Sequence, residues 1–208
     1  MRLRPFVVGL DFSPDGSRLA IAFGARTTGG ATGGGDPDGV EIRDVRSAET
    51  LATLRADEVG SVAFSPDGSL LAGGELDGNV LLWAADSWER VGAPLASRGR
   101  FPSVAFSPDG GTLDTSDDRG AVALWDVASQ QPIGSPLPGL PDARTTARFA
   151  SDGARLFVVS EVGRAIRWEV DPAVWRRQAC RLMGGDLAPE QWEEIAPEHD
   201  YIEVCPSG

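Results

Sequence analysis

One five-residue pattern recurs along this chain at nearly constant spacing. Phe-Ser-Pro-Asp-Gly occurs at Phe12–Gly16, Phe64–Gly68 and Phe106–Gly110, and a variant, Phe-Ala-Ser-Asp-Gly, occurs at Phe149–Gly153. The four phenylalanines are 52, 42 and 43 residues apart. Periods of about 40–45 residues are typical of arrays in which each repeat forms one small β-sheet. The longer first period is explained by the Gly-rich insertion Gly24–Gly39, which predicts a flexible surface loop between two strands.

Each period contains the same order of apolar runs and turns. In the second period the runs are Ser61–Phe64, Ser69–Gly74, Val80–Ala85 and the weaker Arg90–Leu95. Ser-Pro-Asp-Gly suits a tight turn because proline presets φ at its second position and glycine tolerates positive φ at its end. Four short antiparallel strands cannot bury both faces of their sheet alone, so the repeats must stack around a common centre. The sequence therefore predicts an all-β fold, a β-propeller or partial propeller of four four-stranded blades.

This pattern resembles the WD-repeat β-propeller family over approximately residues 7–171. Besides the turns, the resemblance is carried by the third-strand endings at Trp83, Trp125–Asp126 and Trp168, whereas the first repeat has Arg43 at that position. The predicted propeller domain spans 1–171, with blades at about 7–55, 59–97, 101–140 and 144–171. These tryptophans share one phase of the repeat, which predicts that they belong to the core.

The sequence departs from the family pattern in its polar network. Blades of this family often carry a Gly-His pair whose histidine bonds a turn aspartate, but the only histidine here is His199, outside the repeats. The turn aspartate is in register only at Asp77, because Arg119 and Val162 occupy that position in the third and fourth repeats. We therefore expect blade stability to depend mainly on the packing of apolar strand residues and tryptophans.

The segment 172–208 predicts a small helical tail that packs on the last blade. Residues Asp171–Gly185 predict a helix that Asp171 caps, with Pro172 in its first turn and glycines at its end. A second short helix is predicted at Pro189–Ala196. The tail resembles those of propellers in bacterial multidomain signal-transduction NTPases, with Asp186 where asparagine is expected; the matching residues are Trp175, Ala179, Cys180, Leu182, Leu187, Trp192, Tyr201, Cys205 and Pro206.

Two residue groups of the first repeat contain the residue types of a phosphate-binding or metal-binding site. The glycines of Gly24–Gly30 lack the lysine of a phosphate-binding loop, since all nineteen basic residues of the chain are arginines. Asp36, Asp38 and Glu41 are too few for calcium, which takes six to eight oxygen ligands, and are typical of a solvated turn. The sequence therefore predicts neither a bound cofactor nor a metal at these positions.

The residues Cys180, His199 and Cys205 lack the paired short spacings of a zinc site. Nothing in the sequence places His199 beside an orienting carboxylate, so an exposed tail histidine is predicted rather than a catalytic one. The tail could bring Cys205 close to Cys180; in a cytoplasm a reduced, buried pair is the expected state, and a disulfide is the alternative. No catalytic, cofactor-binding or metal-binding residue is predicted.

The charge balance argues against two classes of partner. Thirty-one acidic residues against nineteen basic ones give a net charge of −12, which disfavours binding to nucleic acid and to anionic membranes. No apolar run reaches the roughly 18 residues of a membrane span, and the N-terminus lacks the features of a signal peptide. The predicted location is the cytoplasm.

These observations predict a non-catalytic module for protein–protein interaction or sensing, as the C-terminal part of a larger bacterial signalling protein. Trp88 is the candidate interaction residue, because it lies in a connection between strands rather than in the shared tryptophan phase. The alternative is a hydrolase or lyase that uses carboxylates around the central channel. Because four repeats leave blade faces uncovered, the expected partners are other proteins, further blades of a longer chain, or copies of this chain.

Overall fold

The computed structural model describes residues 6–24, 39–97, 99–100, 103–140, 144–184, 186, 188 and 205. The chain forms two compact units, residues 1–168 and residues 169–208. The described strands are β1 Phe6–Phe12, β2 Arg18–Gly24, β3 Gly39–Asp44, β4 Thr50–Arg55, β5 Val59–Phe64, β6 Leu70–Glu75, β7 Asn79–Ala84, β8 Leu95–Ala96, β9 Ser103–Phe106, β10 Thr112–Ser116, β11 Val122–Asp126, β12 Thr145–Phe149, β13 Arg155–Ser160 and β14 Ala165–Glu169, and the helix α1 is Pro172–Met183.

The strands form four sheets, each built from strands that are consecutive in sequence. Their orders are β1-β2-β3-β4, β5-β6-β7-β8, β9-β10-β11 and β12-β13-β14. The predicted fold class, a partial propeller of four blades with a small helical tail, is confirmed. We number the blades one to four in chain order.

The prediction of four strands in every blade is wrong for the fourth blade, in which β14 is followed by α1, and for the third blade. Where the fourth strand of the third blade was expected, the described residues form only isolated bridges, Val122 to Leu137 and Trp125 to Pro132. Prolines at 132, 136 and 138 explain the interruption, because a proline has no N–H to donate to the ladder. The second blade has the two-residue strand β8 where the longer run Arg90–Leu95 was predicted.

The repeated turns have the predicted conformation in all four blades. Gly16, Gly68, Gly110 and Gly153 have φ between +69° and +75°. In the first turn the Ser13 hydroxyl donates to Asp15 at 2.6 Å, and the Gly16 N–H donates to the Ser13 carbonyl. The Ser13 hydroxyl, and then the amide and hydroxyl of Ser17, lower the pKa of Asp15 to about 2. The serine–aspartate bond recurs in the second and third turns.

The fourth turn keeps its shape with different bonds. Ala150 replaces the serine, so its aspartate, Asp152, instead forms a close ion pair with Arg155. The backbone bond from the Gly153 N–H to the Ala150 carbonyl is retained at 2.9 Å. The turn therefore depends on its glycine more than on the serine hydroxyl.

Consecutive blades pack face to face, in the same register each time. Each blade has a rear face toward the preceding blade and a front face toward the next one. Leu71 and Trp83 lie on the rear face of the second blade, in a buried cluster with first-blade residues such as Ile42. Ala72 lies on its front face, in a second cluster that includes Trp125 of the third blade. Trp83 and Trp125 are therefore core residues, as predicted.

The tail unit begins with a well-capped helix. Asp171 accepts a hydrogen bond from the Ala173 N–H at 2.7 Å, Pro172 is its first residue, and Gly184 ends it in the left-handed conformation. Trp175 donates from its indole N–H to the Glu169 carbonyl at 2.7 Å. The predicted helix is confirmed, whereas the second predicted helix, Pro189–Ala196, lies outside the described residues. The packing of the tail on the last blade stays a prediction.

Candidate interaction surfaces

The first candidate surface surrounds Trp88, the residue singled out from the sequence. Trp88 has a φ of +60° in the connection after β7 and is half-buried against the cluster between the first two blades. The guanidinium carbon of Arg18 lies 5.5 Å from the centroid of its ring, a cation–π distance. Arg18 also donates to the Ala85 carbonyl at 2.6 Å. Trp88 thus takes part in the contact between two blades, and its role in binding a partner stays a prediction.

The second candidate surface is the rear face of the first blade, where apolar side chains are exposed. Leu10 is 59% exposed and Phe12 is 51% exposed. The equivalent residues of the second blade, Val62 and Phe64, are each only 7% exposed, because the first blade covers them. The first blade therefore presents to its surroundings the kind of apolar surface that the second blade buries.

The third candidate surface is the front face of the fourth blade. Phe157 and Val159 alternate along β13 with the buried residues Leu156 and Val158, and they are 42% and 48% exposed. Phe157 is the register equivalent of Ala72, which is fully buried in the interface between the second and third blades. Two faces of the blade array, one at each end, therefore carry exposed apolar side chains.

The contacts between blades show which atoms such faces can offer. The Phe64 N–H donates to a carboxylate oxygen of Asp11 at 2.7 Å, and the Val104 N–H donates to the Ser61 hydroxyl at 3.3 Å. In each case an amide of the first strand of a blade donates to a polar side chain of the preceding blade. Polar side chains on a front face thus satisfy main-chain donors of the following blade.

The turns of consecutive blades also contact each other in a repeated way. A Cβ atom built on Gly68 would lie 3.5 Å from the ring of Pro14, and Cβ atoms on Gly110 and Gly153 would lie 3.6 Å from Pro66 and Pro108. Each turn glycine therefore lies against the proline of the preceding turn. A Cβ atom on Gly16 would have no heavy atom of the described chain within 4 Å.

One buried carboxylate lies between the third and fourth blades. Asp114 on β10 is fully buried, and both of its carboxylate oxygens lack a hydrogen-bond partner among the described residues. Burial raises the pKa of Asp114 well above its ordinary value, although the charge of Arg148 opposes that shift. Ser116, two residues further on the same face, donates to the Thr145 carbonyl and accepts from the Ala147 N–H of the fourth blade.

The other carboxylates near strand ends have structural partners. Glu75 accepts the Asp57 N–H at 2.9 Å, and burial raises its pKa. Asp117 accepts the N–H groups of Arg119 and Ala121 and so stabilises the turn between β10 and β11. It lies two residues before Arg119, the position at which the turn aspartate was expected in the third repeat. Among the described residues no three histidine, cysteine, aspartate or glutamate side chains lie together as metal ligands.

A pocket of about 280 Å³ opens beside the interrupted edge of the third blade. Trp125 lies in its wall and donates from its indole N–H to the Thr115 hydroxyl at 3.1 Å. The buried Asp117 also lines it, together with Pro132 and Pro136. The pocket thus exists where proline prevents a continuous fourth strand, a position that the sequence analysis did not single out.

The cysteines of the tail differ from the expectation. Cys180 and Cys205 form a disulfide with a Cα–Cα distance of 5.5 Å, so the predicted reduced pair is wrong. The fold brings them together because the Cys205 N–H donates to the Asp186 carboxylate at 2.8 Å, close behind the helix that carries Cys180. The disulfide leaves neither sulfur available as a thiolate ligand.

Other predicted residues lie in parts of the chain that the structure does not describe. These are His199, Asp36, Asp38, most of the insertion Gly24–Gly39, and Leu187, Trp192, Tyr201 and Pro206 of the tail pattern. Glu41 is described, and it bonds to Thr50 and Arg43 of its own blade. Within the described part of the chain, no helix is both long and apolar enough to cross a membrane.

The blades described above have a counterpart among known families. The family model described as WD domain, G-beta repeat, matches residues 48–84, which run from the last strand of the first blade through β7 of the second. This match supports a WD-repeat family, in agreement with the four stacked antiparallel sheets. No curated protein matches the chain. The bacterial type and the similarity of the tail to those of signal-transduction NTPases stay predictions.

Proposed function

We propose that this chain is a non-catalytic WD-repeat module that binds another protein through the exposed faces of its blades. The observation that carries the proposal is the exposure of Leu10 and Phe12 on the rear face of the first blade. WD-repeat domains generally mediate protein–protein interactions, and the family match covers the blade that packs directly against this one.

An apolar sheet face exposed to water is unfavourable, so its burial against another protein would favour binding. Burying a leucine or phenylalanine side chain is worth about 1.5–3 kcal/mol. Leu10 and Phe12 lie on one side of one strand, with Leu19 and Ile21 directly across from them on β2. A contiguous apolar sheet face of this kind marks an interaction site. A flat, pleated face suits the side chains of another protein better than it suits a small molecule, which binds in concave sites.

The proposal includes the wider role predicted from the sequence, a C-terminal sensing part of a larger bacterial signalling protein. Its support is the tail pattern, of which Trp175, Cys180 and Cys205 lie in the described residues. The test is the reading frame upstream in the source genome. An in-frame NTPase or kinase domain would support this role, and an upstream stop codon in that frame would exclude it.

The proposed location is the cytoplasm, and the Cys180–Cys205 disulfide is the observation that opposes it. Disulfides persist in oxidising compartments and are rare in a reducing cytosol. The location is tested by alkylating free thiols in intact cells before lysis. A protein alkylated at both cysteines would support the cytoplasm, and a protein protected at both would contradict it.

The binding function is tested by replacing Leu10 with a photo-reactive phenylalanine analogue in the native host. We expect irradiation to yield a covalent adduct with a protein, because the side chain at this position lies within the proposed interface. The matched control carries the analogue at Val162, which is 65% exposed in the turn between β13 and β14 and lies on neither open face. Absence of any protein adduct at position 10, with the folded variant present, would contradict the proposed function.

A further inference from the structure

We propose that the rear face of the first blade binds the front face of the fourth blade of a second copy of this chain, head to tail. This inference rests on the proposed binding function and names its partner. A front face packs on a rear face at each of the three contacts within the chain. The two open faces that remain, one at each end of the array, are one front face and one rear face.

Apolar side chains are exposed on both open faces. At the contact between the second and third blades, Ala72 and Leu82 of a front face lie in one buried cluster with Val104 and Leu113 of a rear face. Leu10 occupies the rear-face register of Val104. On the fourth blade, Phe157 and Val159 supply the apolar side chains of the front face. Joining the two faces would bury exposed apolar residues on both sides.

The main-chain contacts extend this complementarity. Thr146 of β12 occupies the register of Ser61, whose hydroxyl accepts the Val104 N–H. In the register that the chain uses internally, the Thr146 hydroxyl of one copy would accept the Leu10 N–H of the other. Both groups lie on the open faces, and the exposed position of Thr146 leaves its side chain accessible.

The turns supply the third element of the match. Gly68, Gly110 and Gly153 each lie against the proline of the preceding turn, whereas the space beside Gly16 is open. The residue of the fourth turn that corresponds to those prolines is Ser151, which is exposed. A head-to-tail contact would place Ser151 of one copy beside Gly16 of the other. Serine is smaller than proline, so this contact fits without a clash.

The surfaces of two identical chains also repel each other, because each chain carries a net charge of −12. Association driven by apolar faces against such repulsion should strengthen as salt screens the charges. This salt dependence is the opposite of that expected for a contact held by ion pairs between the copies.

The test uses the full chain and two variants, one for each face. Sedimentation of the wild-type chain should show species of twice the chain mass or more at micromolar concentration, because a head-to-tail contact either closes into a ring or adds further copies. Leu10→Arg damages only the rear face and Phe157→Arg only the front face, and each should weaken association at least about tenfold, because an unpaired charge in an apolar contact costs more than 1.4 kcal/mol. Val162→Arg is the matched control and should associate like the wild type.

Mixing the two variants distinguishes a head-to-tail contact from other dimers. The mixture should regain association, because the intact front face of Leu10→Arg can bind the intact rear face of Phe157→Arg. In a symmetric contact of like faces, only one of the two variants would lose association and mixing would restore nothing, so that outcome, or a mixture that stays monomeric, would overturn the proposal. A photo-reactive residue at position 146 should also cross-link to β1 of the other copy, and cross-links confined to other strands would overturn the register.

A strictly monomeric wild-type chain would also overturn this inference, while the proposed binding function would stand if position 10 still cross-links to a different protein in the host. Circular dichroism and melting of each variant establish that it is folded. A variant that does not fold is replaced by Phe12→Arg for the rear face or Val159→Arg for the front face, with the same expected results.

Discussion

The contact between the second and third blades and the contact between the third and fourth blades differ at two equivalent positions. Ala72 in the first contact corresponds to Asp114 in the second, and the hydroxyl of Thr115, which accepts the Trp125 indole N–H, corresponds to a methyl group of Val158. Asp114 has no hydrogen-bond partner for its carboxylate among the described residues, and the buried indole nitrogen of Trp168 has none either. One backbone arrangement thus tolerates an apolar interface and an interface with unsatisfied polar groups.

The comparison indicates how the array distributes its stability. An unsatisfied buried polar group costs about 1–3 kcal/mol, and a buried charge costs more. The third and fourth blades contain these unsatisfied groups, yet their strands keep the register of the other blades. The packing of neighbouring apolar residues such as Leu113 and Leu156, both fully buried, must offset that cost.

The largest expected effect comes from making the apolar interface resemble the polar one. Ala72→Asp should destabilise the protein by about 3 kcal/mol or more, because it places a carboxylate in a fully buried apolar cluster. Chemical denaturation measures the change in the free energy of unfolding. Ala128→Asp, at an exposed position in the connection after β11, is the control and should have little effect. A change below 1 kcal/mol for Ala72→Asp would mean that this register accommodates a charge.

The reciprocal change should stabilise the protein. Asp114→Ala removes the unpartnered carboxylate and installs the residue that the first two blades carry at this register, Ala20 and Ala72. We expect the free energy of unfolding to rise by about 1–3 kcal/mol near neutral pH. Asp114→Asn, which removes the charge but keeps the polar volume, separates the two contributions. Destabilisation by Asp114→Ala would show that the carboxylate has a stabilising partner.

The difference in the free energy of unfolding between Asp114→Ala and the wild type should depend on pH. Burial raises the pKa of Asp114 above its ordinary value of 3.8, so the folded state holds this proton more tightly than the unfolded state does. Stability from this group is therefore lost as pH rises from about 3.8 through the raised pKa. The advantage of Asp114→Ala over the wild type should be smallest near pH 4 and should grow toward neutral pH. Parallel denaturation series of the two proteins check this, and a gap that shrinks with rising pH would contradict it.

The smallest effects concern the indole nitrogens. Thr115→Val should destabilise by about 1–2 kcal/mol, because it leaves the Trp125 N–H unsatisfied. Val158→Thr should stabilise by up to about 1 kcal/mol, because it offers a hydroxyl to Trp168 at the same register. Thr53→Val, on the outer strand of the first blade, is a control for the threonine-to-valine change. Equal effects at positions 115 and 53 would show that the Trp125 bond adds nothing.

Much of the fold follows from local chemistry that the sequence states directly. The turn glycines, the first three strands of the second repeat and the caps of α1 are each determined by a few neighbouring residues, and each is found where it was predicted. The missing fourth strand of the third blade has an equally local cause, because Pro132 and Pro136, both evident in the sequence, have no N–H to donate. The role of Asp117 in the third turn required knowledge of backbone geometry that a register count does not provide.

The candidate surfaces were harder to predict because they depend on contacts between distant residues. The same apolar alternation marks Leu10 and Val62, and only the stacking of blades decides which of them is buried. The bond between Cys180 and Cys205 likewise depends on how the tail returns to the helix, which composition does not determine. Burial of Asp114 has no signal in its own repeat, although comparison with Ala20 and Ala72 at the same register reveals it.

The disulfide of the tail has a consequence for limited proteolysis. It joins residues that are 25 positions apart, so a single cut anywhere between Cys180 and Cys205 leaves both pieces covalently attached. Such a nicked molecule would migrate as an intact chain on a denaturing gel without reductant and would lose its C-terminal piece once reductant is added. A protease could therefore open this segment without releasing it, and the nicked form would persist until the protein enters a reducing environment.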